Sequence, residues 1–140
     1  MPTIPFSSSA GEARGDGRRP LTNGFLSGKY KADTTYTGLD ARRVITRFSK
    51  ENVLANQPLL DVLTDFAHQK GATPAQISLA WILHKKECIV PIPGSRTPER
   101  IQENLSAADV ELTDTEFHQL EAELATIEIH GNRTDEDIAK

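Results

Sequence analysis

Apolar residues recur at helical spacing in the second half of this chain. The first predicted helix runs from about Gln57 to Lys70, with Asn56 as its expected N-cap and Gly71 as its C-terminal stop. Its apolar stripe consists of Leu59, Val62, Leu63, Phe66 and Ala67. This pattern predicts an amphipathic helix that packs one face against a core.

A second helix is predicted to open at Thr73 to Gln76, which has the capping-box pattern with proline at the first helical position. Ile77, Ala80 and Trp81 share one face of this helix. The residues that widen its apolar arc are Leu79, Ile82 and Leu83. We therefore expect the helix to be buried over much of its surface.

Two more helices are predicted towards the C-terminus. The third begins at Pro98, behind the expected N-cap Thr97. Its predicted buried residues are Ile101, Leu105 and Ala108. The fourth helix follows a second capping box at Thr113 to Glu116, and its apolar stripe consists of Phe117, Leu120, Leu124 and Ile127.

One strand is predicted, from Ile89 to Ile92. It lies between two predicted helices and is apolar on both faces, which is typical of a buried strand in a parallel α/β fold. Pro91 departs from that ideal because proline removes one ladder donor. No second strand is predicted, so this one has no partner.

The remaining segments show little periodicity. Residues 1–19 contain three consecutive serines, three glycines and charges of both signs, and we expect them to be disordered or aberrant. Residues 20–55 read as one long loop, which is either functional or a flexible connector. Residues 130–140 are polar and are expected to fray, with residues 134–140 as a polar tail.

The turn after the predicted strand is the main candidate for chemistry. Gly94 and Ser95 precede a helix start that carries Arg96 and Arg100. Unpaired N–H groups and the positive end of the helix dipole favour an anion at such a position, and guanidinium groups suit phosphate oxygens. The alternative is an ordinary strand–turn–helix corner with solvated arginines.

This turn also resembles a known family. Residues 89–104 resemble the last strand and following helix of the aldo/keto reductases, which are NADP(H)-dependent (β/α)₈ barrels. Residues 20–30 resemble the family's loop after the seventh strand, residues 70–83 its penultimate barrel helix, and residues 111–116 the start of its closing helix. The resemblance covers about residues 20–133. It implies an α/β fold that is the C-terminal fragment of a partial (β/α)₈ TIM barrel, mostly helical with one strand.

The resemblance implies NADP(H) as cofactor and a set of contacts to it. Ser95, Arg96 and Arg100 correspond to positions that hold the adenosine 2′-phosphate, which favours NADP over NAD. Glu103 and Asn104 correspond to positions that reach the adenine, and Arg100, Glu103 and Asn104 share one helical face. The implied cofactor-binding residues are Leu21, Gly24, Lys29, Gly94, Ser95, Arg96, Arg100, Glu103 and Asn104.

Other family features have no counterpart here. The family's catalytic Asp, Tyr, Lys and His lie in the first half of its barrel, and nothing in this chain matches their motifs. Where the family's seventh strand is expected, residues 7–19 show no apolar alternation. A gene fragment, a frameshift and a wrongly chosen start codon all remain open as explanations.

Composition narrows the function classes further. A chain of 140 residues is shorter than a TIM barrel, which needs about 200 residues or more. A formal charge of −4 without a basic cluster argues against a nucleic-acid partner, and no apolar run has the length of a membrane span. The only cysteine, Cys88, is expected to be a small buried residue before the strand rather than a metal ligand. We expect a cytoplasmic protein with no metal site.

Three functions are consistent with these patterns. The first is the C-terminal portion of an NADP(H)-dependent aldo/keto reductase, inactive alone, whose intact relatives reduce a small-molecule carbonyl substrate. The second is a non-catalytic nucleotide-binding or regulatory module, and the third is a non-functional truncated product. Because its strand edges and apolar stripes need partners, the chain is expected either to self-associate or to bind a complementing N-terminal barrel half.

Overall fold

The computed structural model describes residues 16–18 and 20–131. The predictions for residues 1–15 and 132–140 lie outside this range. The strands are β1 (Asp16–Arg18) and β2 (Val90–Ile92), and the α-helices are α1 (Lys50–Ala55), α2 (Gln57–Lys70), α3 (Pro74–Lys85), α4 (Pro98–Ser106) and α5 (Asp114–Ala125). Short 3₁₀ turns lie at Thr22–Ser27, Ala41–Arg43, Thr46–Phe48 and Ala107–Asp109.

The start and stop signals of the longer helices are confirmed. Thr73 and Thr113 both form complete capping boxes with the third residue of their helices, Gln76 and Glu116. In each box the threonine hydroxyl accepts a hydrogen bond from the backbone N–H of that third residue. The side chain of the third residue accepts one from the backbone N–H of the threonine. Gly71 ends α2 in the left-handed conformation. These ends are local in sequence, which is why they were predictable.

Asn56 has a different role from the one predicted. It precedes α2, but its side chain makes no capping hydrogen bond. Instead its Oδ1 accepts from the His130 N–H and its Nδ2 donates to the His130 carbonyl, each at 2.8 Å. Asn56 is fully buried. The side chain therefore holds the segment after α5 against the junction of α1 and α2, and the expectation of fraying is wrong at His130 and Gly131, whose carbonyls both accept side-chain hydrogen bonds.

The core lies between α2, α3, α5 and the loop before α1. Its most buried large side chains are Phe25, Leu26, Leu63, Phe66, Ile77, Leu79 and Leu120. Trp81 is also buried, and its indole N–H donates to Glu121 on α5 at 2.5 Å. The ammonium group of Lys85 lies 4.4 Å from the centre of the Trp81 ring. The apolar stripes predicted for α2, α3 and α5 thus face one shared core, although Leu83 of α3 is exposed.

The predicted strand has a partner that the sequence did not reveal. β1 pairs with β2 in parallel, with Asp16 opposite Val90 and Arg18 opposite Ile92. The expectation that the strand has no partner is therefore wrong, and the partner lies at the end of the segment 1–19 that was expected to be disordered or aberrant. Backbone pairing needs no apolar alternation, so a three-residue strand with charged ends leaves no pattern in the sequence.

The stretch from residue 20 to 55 is packed, so its interpretation as a flexible connector is wrong. Phe48 is buried, and the rings of Phe25, Tyr30 and Tyr36 surround it at centroid distances of 5.6–5.8 Å in edge-on geometry. Such aromatic pairs add to the free energy gained by burial alone. The stretch also contains α1, whose N-cap Ser49 accepts from the Asn52 N–H.

Two predictions of burial are wrong, one for the apolar residues of α4 and one for Cys88. Ile101 and Leu105 of α4 are 50% and 65% exposed, and Ala108 is exposed as well. Cys88 is exposed rather than buried. The spacing correctly placed apolar residues on one side of α4, but nothing among the described residues covers that side. No helix in the described part of the chain is long and apolar enough to cross a membrane.

Candidate functional site

The site is built around the N-terminus of α4. Thr97 is the N-cap, and its hydroxyl accepts from the Arg100 N–H at 3.3 Å. Pro98 occupies the first helical position, where a missing N–H costs no hydrogen bond. The positive end of the α4 dipole lies at the turn after β2. This end of α4 therefore attracts negative charge.

Ser95 and Asn104 fix the turn onto the helix. The Asn104 side-chain amide donates to the Ser95 hydroxyl at 2.7 Å, across nine residues of sequence. Both residues are half-buried. The contact holds the Gly94–Ser95 backbone beside the second turn of α4, so the turn has a defined position before any ligand arrives.

Arg100 and Glu103 form an ion pair on the same helix. Arg100 Nη1 lies 2.6 Å from Glu103 Oε2. The other carboxylate oxygen, Oε1, accepts from the Thr73 hydroxyl at 2.8 Å, and the Glu103 carbonyl accepts from the Gln76 side chain at 2.9 Å. Both carboxylate oxygens of Glu103 thus have partners within the protein. These contacts orient the Arg100 guanidinium from α3.

Arg96 is exposed at the tip of the turn. The positive charge of Arg96 contributes to holding the pKa of Asp40 low, although the main cause is the hydrogen bonding of Asp40 to Arg42. Together these interactions lower the pKa of the Asp40 carboxyl from 3.8 to about 2. The pKa effect indicates that the loop and the turn after β2 lie within electrostatic range of each other.

Arg42 anchors this part of the loop. Its guanidinium binds both oxygens of Asp40 through Nε and Nη2 at 2.5–3.1 Å. It also lies 4.3 Å from the centre of the Tyr30 ring and 5.4 Å from that of Tyr36. A planar cation held by a carboxylate and two aromatic rings loses little further entropy when its neighbours bind a ligand.

Of the predicted loop residues, Gly24 lies in the first 3₁₀ turn after β1, Leu21 precedes that turn and Lys29 follows it. The Leu21 carbonyl accepts from the N–H groups of Gly24 and Leu26 at 2.9 and 3.3 Å. Gly24 has a φ of +91°, and a Cβ there would lie 3.0 Å from the Tyr30 ring. Lys29 is exposed just after this turn. Gly24 is therefore required for the packing of Tyr30, whether or not it also approaches a ligand.

Thr22 is a candidate that sequence reasoning missed. It has a φ of +53°, which is unusual for a β-branched residue. The residue is 1% exposed, and its hydroxyl has no hydrogen-bond partner among the described residues. Strained backbone and unsatisfied buried groups are enriched at functional sites. A threonine in a loop gives no sequence signal of either property.

The two tyrosines of the chain, Tyr30 and Tyr36, pack against Phe48 and Arg42, and burial raises the pKa of Tyr36. Within residues 16–18 and 20–131, no group of three or more histidine, cysteine, aspartate or glutamate residues is placed to hold a metal. The arrangement is suited to binding an anion.

Comparison with known proteins decides the family. The model of the aldo/keto reductase family matches residues 17–125, which is most of the chain. The chain belongs to the aldo/keto reductase family. Aldo-keto reductase yakc of Schizosaccharomyces pombe, whose name carries the cofactor label NADP(+), is 35% identical over 114 residues. Aldo-keto reductase str7 of Strobilurus tenacellus is 33% identical over the same length.

The matches cover only part of each relative, which limits how much of the family fold this chain contains. Each match covers 81% of this chain but 34% of the relative, so the chain spans about a third of the length of the curated relatives it matches. The family match begins at Gly17, inside β1, rather than at residue 20 as the motifs indicated. The family implies a TIM barrel, in which neighbouring strands run parallel, as β1 and β2 do. The described residues do not close a barrel.

Proposed function

We propose that this chain forms the nucleotide-binding, C-terminal part of an NADP(H)-dependent aldo/keto reductase that reduces small-molecule carbonyl compounds. The observation that carries the proposal is the turn at the start of α4, where Ser95, Arg96 and Arg100 lie around a capped helix N-terminus. Membership of the family and the name of the S. pombe relative support the choice of cofactor.

The chemistry of the available donors fits the adenosine 2′-phosphate. Arg96 is exposed at the turn, and Arg100 is oriented by its ion pair with Glu103. Both guanidinium groups and the Ser95 hydroxyl donate hydrogen bonds to phosphate oxygens in this proposal, and α4 adds its dipole. NADP(H) would supply the hydride when bound.

The other residues have supporting roles in this proposal. Leu21, Gly24 and Lys29 lie near the pyrophosphate, where the small Gly24 allows a close approach of the backbone. Asn104 lies near the adenine and keeps Ser95 in place through its hydrogen bond. Glu103 positions Arg100 rather than contacting the base, because its carboxylate is already shared between Arg100 and Thr73.

In this proposal the proton donor for carbonyl reduction comes from the part of the barrel that this chain does not cover. Tyr30 and Tyr36 are held in an aromatic cluster beside Arg42, and general acid catalysis requires a group within hydrogen-bond reach of the carbonyl oxygen. The purified chain is therefore expected to reduce no aldehyde with NADPH.

The test is NADPH oxidation with a panel of aldehydes. The chain is assayed alone and after co-expression with the N-terminal two thirds of the S. pombe relative. We expect turnover only on co-expression, and loss of most of it with Arg96→Ala. Turnover by the chain alone that disappears with Tyr30→Phe or Tyr36→Phe contradicts the proposal.

A second function, a non-catalytic nucleotide-binding module, is favoured by one observation. The turn and helix start that carry Ser95, Arg96 and Arg100 lie within the described residues, and both tyrosines of the chain are packed against Phe48. The same co-expression experiment separates the two functions. A complex that binds NADPH but oxidises none of it with any aldehyde supports the module.

A further inference from the structure

A surface cavity of about 440 Å³ lies where α3 ends and α5 begins. It is lined by the last turns of α3, by the 3₁₀ turn that follows α4 and by the segment that leads into α5. Its volume is within the range of small-molecule sites, which is about 300–1,000 Å³. The candidate cofactor site lies at the other ends of these helices, where Thr73 and Gln76 contact Glu103. The two sites are therefore separate.

Most of the cavity lining is apolar. Ala80, Ala107 and Leu112 contribute to it and are buried. Leu83 also lines the cavity and is 39% exposed, although its place in the apolar arc of α3 predicts burial. The arc of α3 thus ends at an opening where a further apolar group has room to pack. Covering this lining removes apolar surface from water, which favours a ligand with a hydrocarbon part.

The charge that the cavity offers to a ligand is negative. Glu111 lines it, and the Glu111 carboxylate has no hydrogen bond or ion pair within the described residues. No lysine or arginine belongs to the lining in the part of the chain that the structure describes. Lys85, the last residue of α3, lies 3.5 Å from a carboxylate oxygen of Glu121 and stacks on the Trp81 ring. It is therefore already paired away from Glu111.

His84 adds a second hydrogen-bond acceptor to the lining. Its Nε2 lies 3.1 Å from Oδ1 of Asp114. An ionised carboxylate only accepts hydrogen bonds, so this contact places the proton of a neutral His84 on Nε2 and leaves Nδ1 as an acceptor. The imidazole also stacks on the Phe117 ring at a centroid distance of 4.6 Å, which restricts its orientation.

The helix ends beside the cavity favour a cation as well. The last carbonyl groups of α3 have no partner within the helix and carry the negative end of its dipole. The start of α5 has the opposite polarity, but its capping box occupies the Thr113 and Glu116 N–H groups. Asp114 places a further carboxylate in the first turn of α5. An anion would therefore meet repulsion at this cavity.

We propose that this cavity binds a small organic ammonium ion, in which a protonated amine is attached to an apolar body. The amine donates hydrogen bonds to the Glu111 carboxylate and to Nδ1 of His84, and the apolar body covers Leu83. Both parts of the ligand are needed, because an ion pair at an exposed carboxylate contributes little affinity alone. The site uses no residue of the cofactor-binding turn, so this inference does not depend on the proposed function.

The experiment titrates the full chain, labelled at its leucine and valine methyl groups, with phenethylamine at neutral pH. Phenethyl alcohol and hydrocinnamate are the matched probes, since they carry a neutral and an anionic group on a similar body. We expect the NMR signals of Leu83, Val110 and Leu112 to shift on addition of the amine. The amine should bind about tenfold more tightly than the alcohol, and hydrocinnamate should not bind.

Three variants test the residues that carry the proposal. Glu111→Gln removes the charge and is expected to weaken amine binding about tenfold. Glu51→Gln is the matched control, because Glu51 is an exposed carboxylate on α1 outside the cavity, and it should leave the affinity unchanged. Ala108→Phe places a ring in the cavity from an exposed position and is expected to abolish binding.

Several results overturn the proposal. They are no binding of the amine, equal affinity for the amine and the alcohol, equal weakening by the two glutamine substitutions, and binding that survives Ala108→Phe. Urea unfolding of each variant distinguishes loss of the site from loss of the fold. Methyl shifts that follow protein concentration without any probe show instead that a second copy covers this surface, which also contradicts the proposal.

Discussion

The hydroxyl of Thr73 donates a hydrogen bond to the carboxylate of Glu103 at 2.8 Å. This contact links the N-cap of α3 to the second turn of α4 and leaves the other carboxylate oxygen for Arg100. A cap residue, which usually serves only its own helix, thereby positions a candidate phosphate-binding arginine on the next one. Stability and the cofactor site are coupled through this side chain.

Substitution of Thr73 by valine tests that coupling. Thr73→Val removes the cap and the bond to Glu103, whereas Thr113→Val removes a cap with the same capping-box geometry and no such bond. Each cap is worth about 1 kcal/mol of unfolding free energy, and the additional hydrogen bond roughly another 1 kcal/mol. Urea unfolding followed by Trp81 fluorescence measures both losses. Equal losses for the two variants contradict the coupling.

Gly131 is predicted to be far less tolerant of alanine than Gly38. Both have positive φ, of +79° and +64°. A Cβ at Gly131 would lie 2.7 Å from the Arg47 Cα, whereas nothing lies within 4 Å at Gly38. The steric overlap should make Gly131→Ala about 1–3 kcal/mol more destabilising than Gly38→Ala in urea unfolding. A similar cost for both variants would show that the segment after α5 does not pack as described.

Lowering the pH is predicted to break the ion pair between Asp40 and Arg42. The pKa of Asp40 is lowered from 3.8 to about 2, chiefly by its hydrogen bonds to Arg42. A depressed carboxyl pKa in the folded state means that the contribution of the pair to stability is present above about pH 4 and is lost as the pH falls towards 2. Carbon NMR of the Asp40 carboxyl measures this titration directly.

The control for that titration is Arg42→Gln, which removes the positive charge and most of the hydrogen bonding. The Asp40 midpoint is expected to move up towards 3.8 in this variant. An unchanged midpoint means that Arg42 does not set the pKa of Asp40. The tyrosine rings beside Arg42 report the same event, because their resonances depend on its position.

The bounds of α2, α3 and α5 could be predicted because each is determined by residues within a few positions. The Thr73 and Thr113 capping boxes and the left-handed Gly71 operate whatever surrounds them. The Asn56–His130 pair, by contrast, joins residues 74 positions apart. No local pattern indicates such a contact, and a prediction from spacing alone assigned Asn56 to a cap.

The candidate site was predicted in part. The turn at Gly94 and the helix start at Thr97 followed from local rules, whereas the hydrogen bond between Ser95 and Asn104 was not predicted. The bond from Thr73 to Glu103 and the proximity of Asp40 to Arg96 depend on how separate segments pack. The exposure of Ile101 was missed for a related reason, since spacing shows which side of a helix is apolar but not what covers it.

The central claim is that the turn at the start of α4 binds the adenosine 2′-phosphate of NADP(H). Calorimetric titration of the assembled complex with NADPH and NADH tests it most directly. We expect tighter binding of NADPH, and Arg96→Ala to weaken it roughly 10- to 100-fold, since a hydrogen bond to a charged group contributes about 1.5–3 kcal/mol. Arg43→Ala, which removes a loop arginine bonded to the Gly38 carbonyl, should leave the NADPH affinity unchanged. Equal affinities for the two dinucleotides, or no effect of Arg96→Ala, would contradict the account.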